Sequence, residues 1–251
     1  MGKVLIAMSG GVDSSVAAYL LKHSGWDCVG ATMTLYRNED IGISRSRTCC
    51  SLEDVEDARS VAFRLRIPYY VFNFSDEFRR QVMDRFADAY GQGRTPNPCI
   101  DCNRYLKFRH LYDRAALLGC DTIATGHYAR IERENGRYLL KKALDASKDQ
   151  SYVLYMLTQE QLAHTQFPLG ALRKAETRQL ADSLGFFNAR KPDSQDICFV
   201  PDGDYAAFIR RHTGKADAPG DFVDESGRIL GRHRGIAHYT IGQRKGLGIP
   251  S

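Results

Sequence analysis

No apolar run in this chain approaches the ~20 residues that a membrane-spanning helix needs, so no membrane partner is expected. A basic leader is missing too: the N-terminus passes directly into Val4-Leu5-Ile6-Ala7-Met8, which predicts no secretory signal. There is no internal repeat and no low-complexity tract. The lysine-bearing phosphate loop G-x-x-x-x-G-K-[ST] is absent, which excludes the nucleotide site of kinases and GTPases. From Ser226 to Ser251 there is no acidic residue, yet Arg228, Arg232, Arg234, Arg244 and Lys245 all fall there. That stretch reads either as a solvated basic face or as one that meets a polyanion, and the net charge of +5 permits the second. Cysteine is not scarce. The seven cysteines are odd in number and widely scattered, in a chain of 251 residues, too large for a disulfide-stapled scaffold. That favours a reducing, cytoplasmic compartment and thiols kept for reactivity or metal.

What is present begins with Ser9-Gly10-Gly11-Val12-Asp13-Ser14. The preceding apolar run suits a buried parallel strand, and Ser14-Ser15 offer hydroxyls to cap a helix continuing through Val16, Ala17, Leu20 and Leu21. Strand, glycine turn and helix N-terminus aim several N–H groups and the positive end of a helix dipole at one point. An anion fits there, and paired glycines let it approach the backbone. The six residues resemble the pyrophosphatase-type loop S-G-G-x-D-S of enzymes that split ATP into AMP and pyrophosphate. The plainer alternative is a tight turn without a ligand.

Strand signals recur at Cys28–Leu35, Tyr69–Asn73 and Asp121–Thr125, with amphipathic helices at Leu52–Arg66, from Asp76 through Tyr90, and at Asn103–Leu118. Four strand–helix alternations in 125 residues predict an α/β fold: a parallel sheet with helices on both faces. In such sheets ligands bind beyond the carboxyl ends of the strands, which puts the Ser9 loop, Met33 and Gly126-His127 on one rim. Tyr36–Thr48 reads as a polar loop, Asn135-Gly136 as a hairpin turn, and Ser151–Leu184 as mainly helical without further strands. The character changes after Pro201, predicting a catalytic domain over residues 1–203 and a small β-rich domain over 204–251.

Cysteine is the second anchor. Cys99 and Cys102 are expected in a loop after two prolines and before a helix start, where thiol pKa values fall. The C-x-x-C pair suits redox, metal or thiol-transfer work, and Cys49-Cys50 would be needed to complete a four-thiolate zinc site. Cys28 and Cys120 flank strands and read as small buried hydrophobes; Cys198, beside Phe199, admits either role. His127 follows a strand on the proposed nucleotide rim, and Lys148-Asp149-Gln150-Ser151 reads as a helix cap or a contact surface.

Taken together, several segments resemble the tRNA-specific 2-thiouridylases. They are the Ser9–Ser14 loop, Thr95-Pro96-Asn97-Pro98-Cys99, Cys102-Asn103 and Ala124–Arg130, then Lys148–Tyr152, Ile197-Cys198-Phe199 and Tyr239–Gly246, in order along the whole chain. The resemblance implies an adenine nucleotide α-hydrolase-like fold and adenylation of C2 of the wobble uridine in tRNA. It further implies sulfur delivery from a cysteine persulfide, giving 2-thiouridine, AMP and pyrophosphate. Carried onto this sequence, Ala7, Met8, Ser9, Gly10, Gly11, Val12, Asp13, Ser14, Met33 and Gly126 would hold ATP. Cys102 would be the nucleophile and Cys198 the persulfide carrier. Asn97, Pro98 and Cys99 would lie against the target base, with His127, Lys148, Asp149 and Gln150 touching the tRNA. Magnesium would neutralise departing pyrophosphate. An upstream persulfide donor, a cysteine desulfurase or sulfur relay protein, would reload Cys198.

Two departures follow from the same resemblance. Some members carry Asp where this chain has Cys99, a carboxylate suited to proton transfer. The family's chains also run on for about another hundred residues into a β-barrel, close to one extra domain by length, so this chain is expected to be a fragment. Cys99 opens a competing chemistry, in which three thiolates hold an iron–sulfur cluster with one open iron. Outside the family stand an ATP-dependent ligase or amidating synthetase with the same loop, and an RNA-binding protein with an unused nucleotide fold. Neither needs three cysteines.

Overall fold

The computed structural model describes residues 2–41, 52–193 and 197–249. Residues 42–48 of the expected loop, Cys49-Cys50 and Ser194-Gln195-Asp196 lie outside them. Five strands form one parallel sheet: β1 (Lys3–Ala7), β2 (Asp27–Thr34), β3 (Tyr69–Asn73), β4 (Thr122–Ala124) and a short strand at Thr165–Gln166. Their spatial order is β3-β2-β1-β4 and then the short strand. The fifth strand departs from the expectation that Ser151–Leu184 holds none. Two residues are too few for a period-2 pattern, so only pairing with β4 reveals it.

Alternation along β1 sends side chains to both faces, and both are covered. Val4 and Ile6 pack with Val16 and Ala17 of α1 (Val12–His23) and Ala58 and Val61 of α2 (Leu52–Arg64). Leu5 packs on the other face with Phe78, Val82, Leu106 and Phe108. These last four come from two long helical runs, α3 (75–91) and α4 (98–117). Each is α-helical at both ends around a π-helical turn, Arg79–Met83 in α3 and Cys102–His110 in α4. Full burial of aliphatic and aromatic side chains stabilises such a sheet by roughly 1.5–3 kcal/mol apiece before chain entropy is subtracted.

The expected hairpin closes at Asn135-Gly136, both with positive φ (50° and 78°), between β5 (Ala129–Glu134) and β6 (Arg137–Lys142). Two helices follow, α5 (Gln159–Ala163), before the fifth strand β7 (Thr165–Gln166), and α6 (Lys174–Ser183) after it. Beyond Pro201, Asp204 caps α7 (Tyr205–Thr213), and β8 (Gly220–Val223) pairs antiparallel with β9 (Ile229–His233). Helix α7 is not detached from the sheet domain: Phe208 is fully buried beside Phe86 and Phe199, and His212 meets Asp84 at 2.6 Å.

The strand order reverses between β1 and β4, which opens a crevice beyond their carboxyl ends. The loop leaving β1 must turn there beside α2. Gly10 does so at φ +74°, and a Cβ on it would lie 2.4 Å from the Asp54 carbonyl oxygen. Gly10→Ala is therefore expected to cost about 2–4 kcal/mol, from positive-φ strain plus a backbone clash. Urea unfolding checks this; a loss below about 0.5 kcal/mol would show that the loop has another way round.

Candidate active site

Helix α1 starts with Gly11 as N-cap and no side-chain cap. Ser14 and Ser15 do not cap it as the sequence suggested. They lie inside the first turn, each Oγ donating to the Gly11 carbonyl at 3.0 Å, while Ser14 Oγ accepts from Ser9 N–H at 3.1 Å. The first-turn N–H groups, which have no acceptor within a helix, thus face the crevice. Behind the loop, Asn188 Nδ2 donates to the Gly10 carbonyl and to Ser15 Oγ, both at 2.9 Å. Gly126, just past β4, closes the other side: a Cβ there would fall 2.8 Å from the Ser14 nitrogen.

Asp13 is held, not free in a loop. Lys174 Nζ donates to its two oxygens at 2.8 and 2.7 Å, and the Tyr128 hydroxyl to Oδ1 at 2.9 Å. Burial pushes the Tyr128 phenol well above its ordinary pKa, which keeps it a donor. Lys174 also meets Asp193 at 2.8 Å, and Asp193 receives Lys148 at 2.8 Å and Arg178 at 2.6 Å. Burial opposes ionisation of Asp193, but the hydrogen bonds from Lys148 and Lys174 win and bring it down to about 2.

The thiols come from the opposite wall. Asn97 accepts the Cys99 N–H at 3.0 Å and caps α4, with Pro98 in its first turn. The helix so begins about five residues earlier than the sequence pattern indicated. Cys99 and Cys102 sit on its first turns and not in a loop; Asn97-Pro98 is the start signal that was passed over. The expected fall in thiol pKa reverses at Cys102, where burial pushes it up to about 11 against the pull of Lys107. Cys198 lies in the turn 197–200, whose Cys198 carbonyl accepts the Tyr36 hydroxyl at 2.7 Å. Cys28 and Cys120 are buried beside strands.

One cavity of about 360 Å³ joins the two walls. Ala7, Met8, Ser9, Asp13, Ser14, Met33 and Gly126 line one side, and Pro98, Cys99, Cys102 and Cys198 the other, with His127 and Gln150 between. Gly10, Gly11, Val12, Asn97, Lys148 and Asp149 do not line it. Asn97 serves as the cap, Lys148 is paired with Asp193, and Asp149 accepts the Ala143 N–H at 2.9 Å. His127 is buried. Its Nδ1 lies 2.6 Å from Thr125 Oγ1, and burial, with Lys107 beside it, holds it well below the histidine range. Although the three thiols share the cavity, no group of three or more His, Cys, Asp or Glu among the described residues could hold a metal.

Comparison with known proteins carries this geometry to a family. A model of the tRNA methyl transferase HUP domain matches residues 2–202, and one of the tRNA methyl transferase PRC-barrel domain matches residues 206–251. The tRNA-specific 2-thiouridylase MnmA of Lachnoclostridium phytofermentans is 57% identical over 251 residues, covering 99% of this chain and 70% of the relative. That of Clostridioides difficile is 55% identical over 249 residues, covering 98% and 69%. The chain belongs to the tRNA-specific 2-thiouridylase family. A crystal structure of a 4-thiouridine synthetase–RNA complex with bound ATP shares the fold, with a TM-score of 0.55 at 21% identity over 80% of this chain and 45% of that one.

In this 2-thiouridylase-family chain, several residues that face or brace the cavity were not named as site residues from the sequence: Lys107, Lys174, Asn188 and Asp193, with Thr125 and Tyr128 inside the Ala124–Arg130 segment but given no role. Lys174 opens an ordinary amphipathic helix, and nothing in the sequence pairs it with Asp13 across 161 residues. Lys107 was within reach of pattern reading, since it shares a helix with Cys102, and so were Thr125 and Tyr128, which flank Gly126-His127. Among the described residues, no helix is long and apolar enough to cross a membrane.

Proposed function

We propose that the chain replaces the C2 oxygen of the wobble uridine of tRNA with sulfur, using ATP. The observation that carries this reading is the single cavity shared by an uncapped helix N-terminus and three thiols. Family membership supports it, and the relatives are named for this activity. The family model's description names methyl transfer instead; a methyl transferase has no need of cysteines facing a phosphate-type loop, so the thiols favour thiolation.

ATP as substrate lies with its phosphates on the α1 N-terminus and its base toward Met33. Magnesium would be held chiefly by those phosphates and water, since Asp13, the carboxylate lining the cavity, already accepts Lys174 on both oxygens and would reach the ion only through water. Its chemistry there is charge neutralisation. Uridine O2 attacks the α-phosphorus and pyrophosphate leaves. Cys198 carries the persulfide; its outer sulfur attacks C2, displacing AMP and leaving a Cys198–S–S–C2 adduct. The Cys102 thiolate then attacks the Cys198 sulfur, forming a Cys102–Cys198 disulfide and freeing the thiocarbonyl. The persulfide route needs only Cys102 and Cys198, whereas a cluster of iron and sulfide would need Cys99 as a third ligand and a fourth position left open, so the persulfide route is preferred.

Residues 1–203 act as the catalytic unit in this reading and residues 204–251 as an RNA-facing unit. His127 reaches the RNA as a neutral ring, and Lys148, Asp149 and Gln150 form the rim. A thiol reductant opens the Cys102–Cys198 disulfide, a persulfide donor protein then reloads Cys198, and the enzyme works in the cytoplasm. The test is mass spectrometry of tRNA nucleosides after incubation with ATP and a persulfide donor. The expected product is 2-thiouridine with stoichiometric AMP. Uridine left unmodified in a folded, ATP-turning protein would refute the assignment.

A further inference from the structure

Lys107 is a cation of intermediate exposure on the thiol wall, and among the described residues no carboxylate pairs with it. Its Nζ lies 3.5 Å from His127 Nε2. An ammonium can only donate, so Nε2 is the acceptor and Nδ1 carries the proton toward Thr125 Oγ1, 2.6 Å away. Burial and Lys107 itself keep that ring uncharged. His127 therefore fixes the lysine without neutralising it.

The helix brings Lys107 to Cys102. In an α-helix, five residues are about 0.4 of a turn out of line. Here Cys102–His110 is π-helical, as shown by the Leu111 N–H bonded to the Leu106 carbonyl five residues back. Such i→i+5 bonding stacks residue 107 over residue 102, and both line the cavity. We propose that Lys107 is the positioning residue that stabilises the anionic form of Cys102, with the Thr125–His127 pair as its uncharged seat. This rests on the role given to Cys102 under the proposed function, where it attacks as a thiolate.

Other charges near the thiol do not replace this one. On the same helix, Cys99 and Asp101 disfavour a thiolate at Cys102, and Asp101 is already engaged by Arg85 of α3 at 3.0 Å. His127 arrives neutral from the end of β4, and Cys198 from the turn 197–200 adds a second thiol. Among the described residues, Lys107 is the charge that acts in the favourable direction.

The experiment is peptide-resolved iodoacetamide alkylation of Cys102 across neutral to alkaline pH, in protein without ATP or tRNA. Lys107→Met is expected to slow Cys102 alkylation at neutral pH by about tenfold and move its profile to higher pH. Lys107→Arg should keep the profile within about threefold, a rescue that packing alone would not give. Should Lys107→Met not fold, Lys107→Gln carries the same comparison. With tRNA and ATP, thiolation should fall more than AMP formation does. An unmoved Cys102 profile in folded Lys107→Met overturns the proposal. Loss of AMP formation with that profile unmoved also overturns it, assigning the lysine to phosphate. A shifted profile in a protein that thiolates no tRNA refutes the functional reading and leaves the charge pairing standing.

Discussion

A Cys198→Ser protein is expected to release pyrophosphate on tRNA and leave the base adenylated, yet form 2-thiouridine at least about 10³-fold more slowly, because it lacks the sulfur that displaces AMP. Cys102→Ser should fail differently. With the carrier intact and the resolving thiolate gone, sulfur reaches C2 but the tRNA stays linked to Cys198. The expected result is a covalent protein–RNA species on a non-reducing gel, which added dithiothreitol converts to 2-thiouridine. Both thiols line the cavity that also holds the phosphate loop, so each change is local. Equal, unrescued loss of thiolation in both variants, with no adduct, would sink the order of events.

The second large effect lies at Lys174, whose side chain is only 10% exposed and touches both Asp13 and Asp193. Lys174→Met would leave two carboxylates facing each other without their shared cation. The expected loss is roughly 2–3 kcal/mol, less than the 3–5 of a fully buried pair because both acids keep some solvent. Adenylation should drop as well, since Asp13 would no longer be held beside α1. The pH dependence has a fixed sign. Asp193 ionises at about 2, below its unfolded value, so its contribution is present above about pH 4 and lost as pH falls toward 2. Urea midpoints at neutral and acidic pH should converge between parent and variant as acid is added. Midpoints that stay equally far apart would show that Asp193 is not what Lys174 stabilises.

Much of this was legible because local chemistry carried it. The Val4–Met8 run, the paired glycines and the four alternations dictate a parallel sheet with a glycine loop at its rim, and that fold is found. The C-x-x-C spacing singled out Cys99 and Cys102, and both line the cavity. What stayed hidden was long-range or too short. Two-residue β7 has no period, and the Asp13–Lys174 pair joins residues with no common motif. The thiol environment was misjudged at Cys102 for a physical reason. A helix start lowers a thiol pKa only while water or a cation reaches the sulfur, and burial among Leu106 and its neighbours outweighs that.

The parts of the cavity leave the ribosome in an order that keeps its chemistry apart. The phosphate loop emerges first, at residues 9–14, but the side chains that brace it from behind, Lys174 and Asn188, are made more than 150 residues later. Cys198 comes after both. A nascent chain therefore carries a loop without its braces and Cys102 without the Cys198 that shares its cavity. In the proposed reaction, activation of the base and delivery of sulfur become possible together, once residues 174–199 complete the crevice.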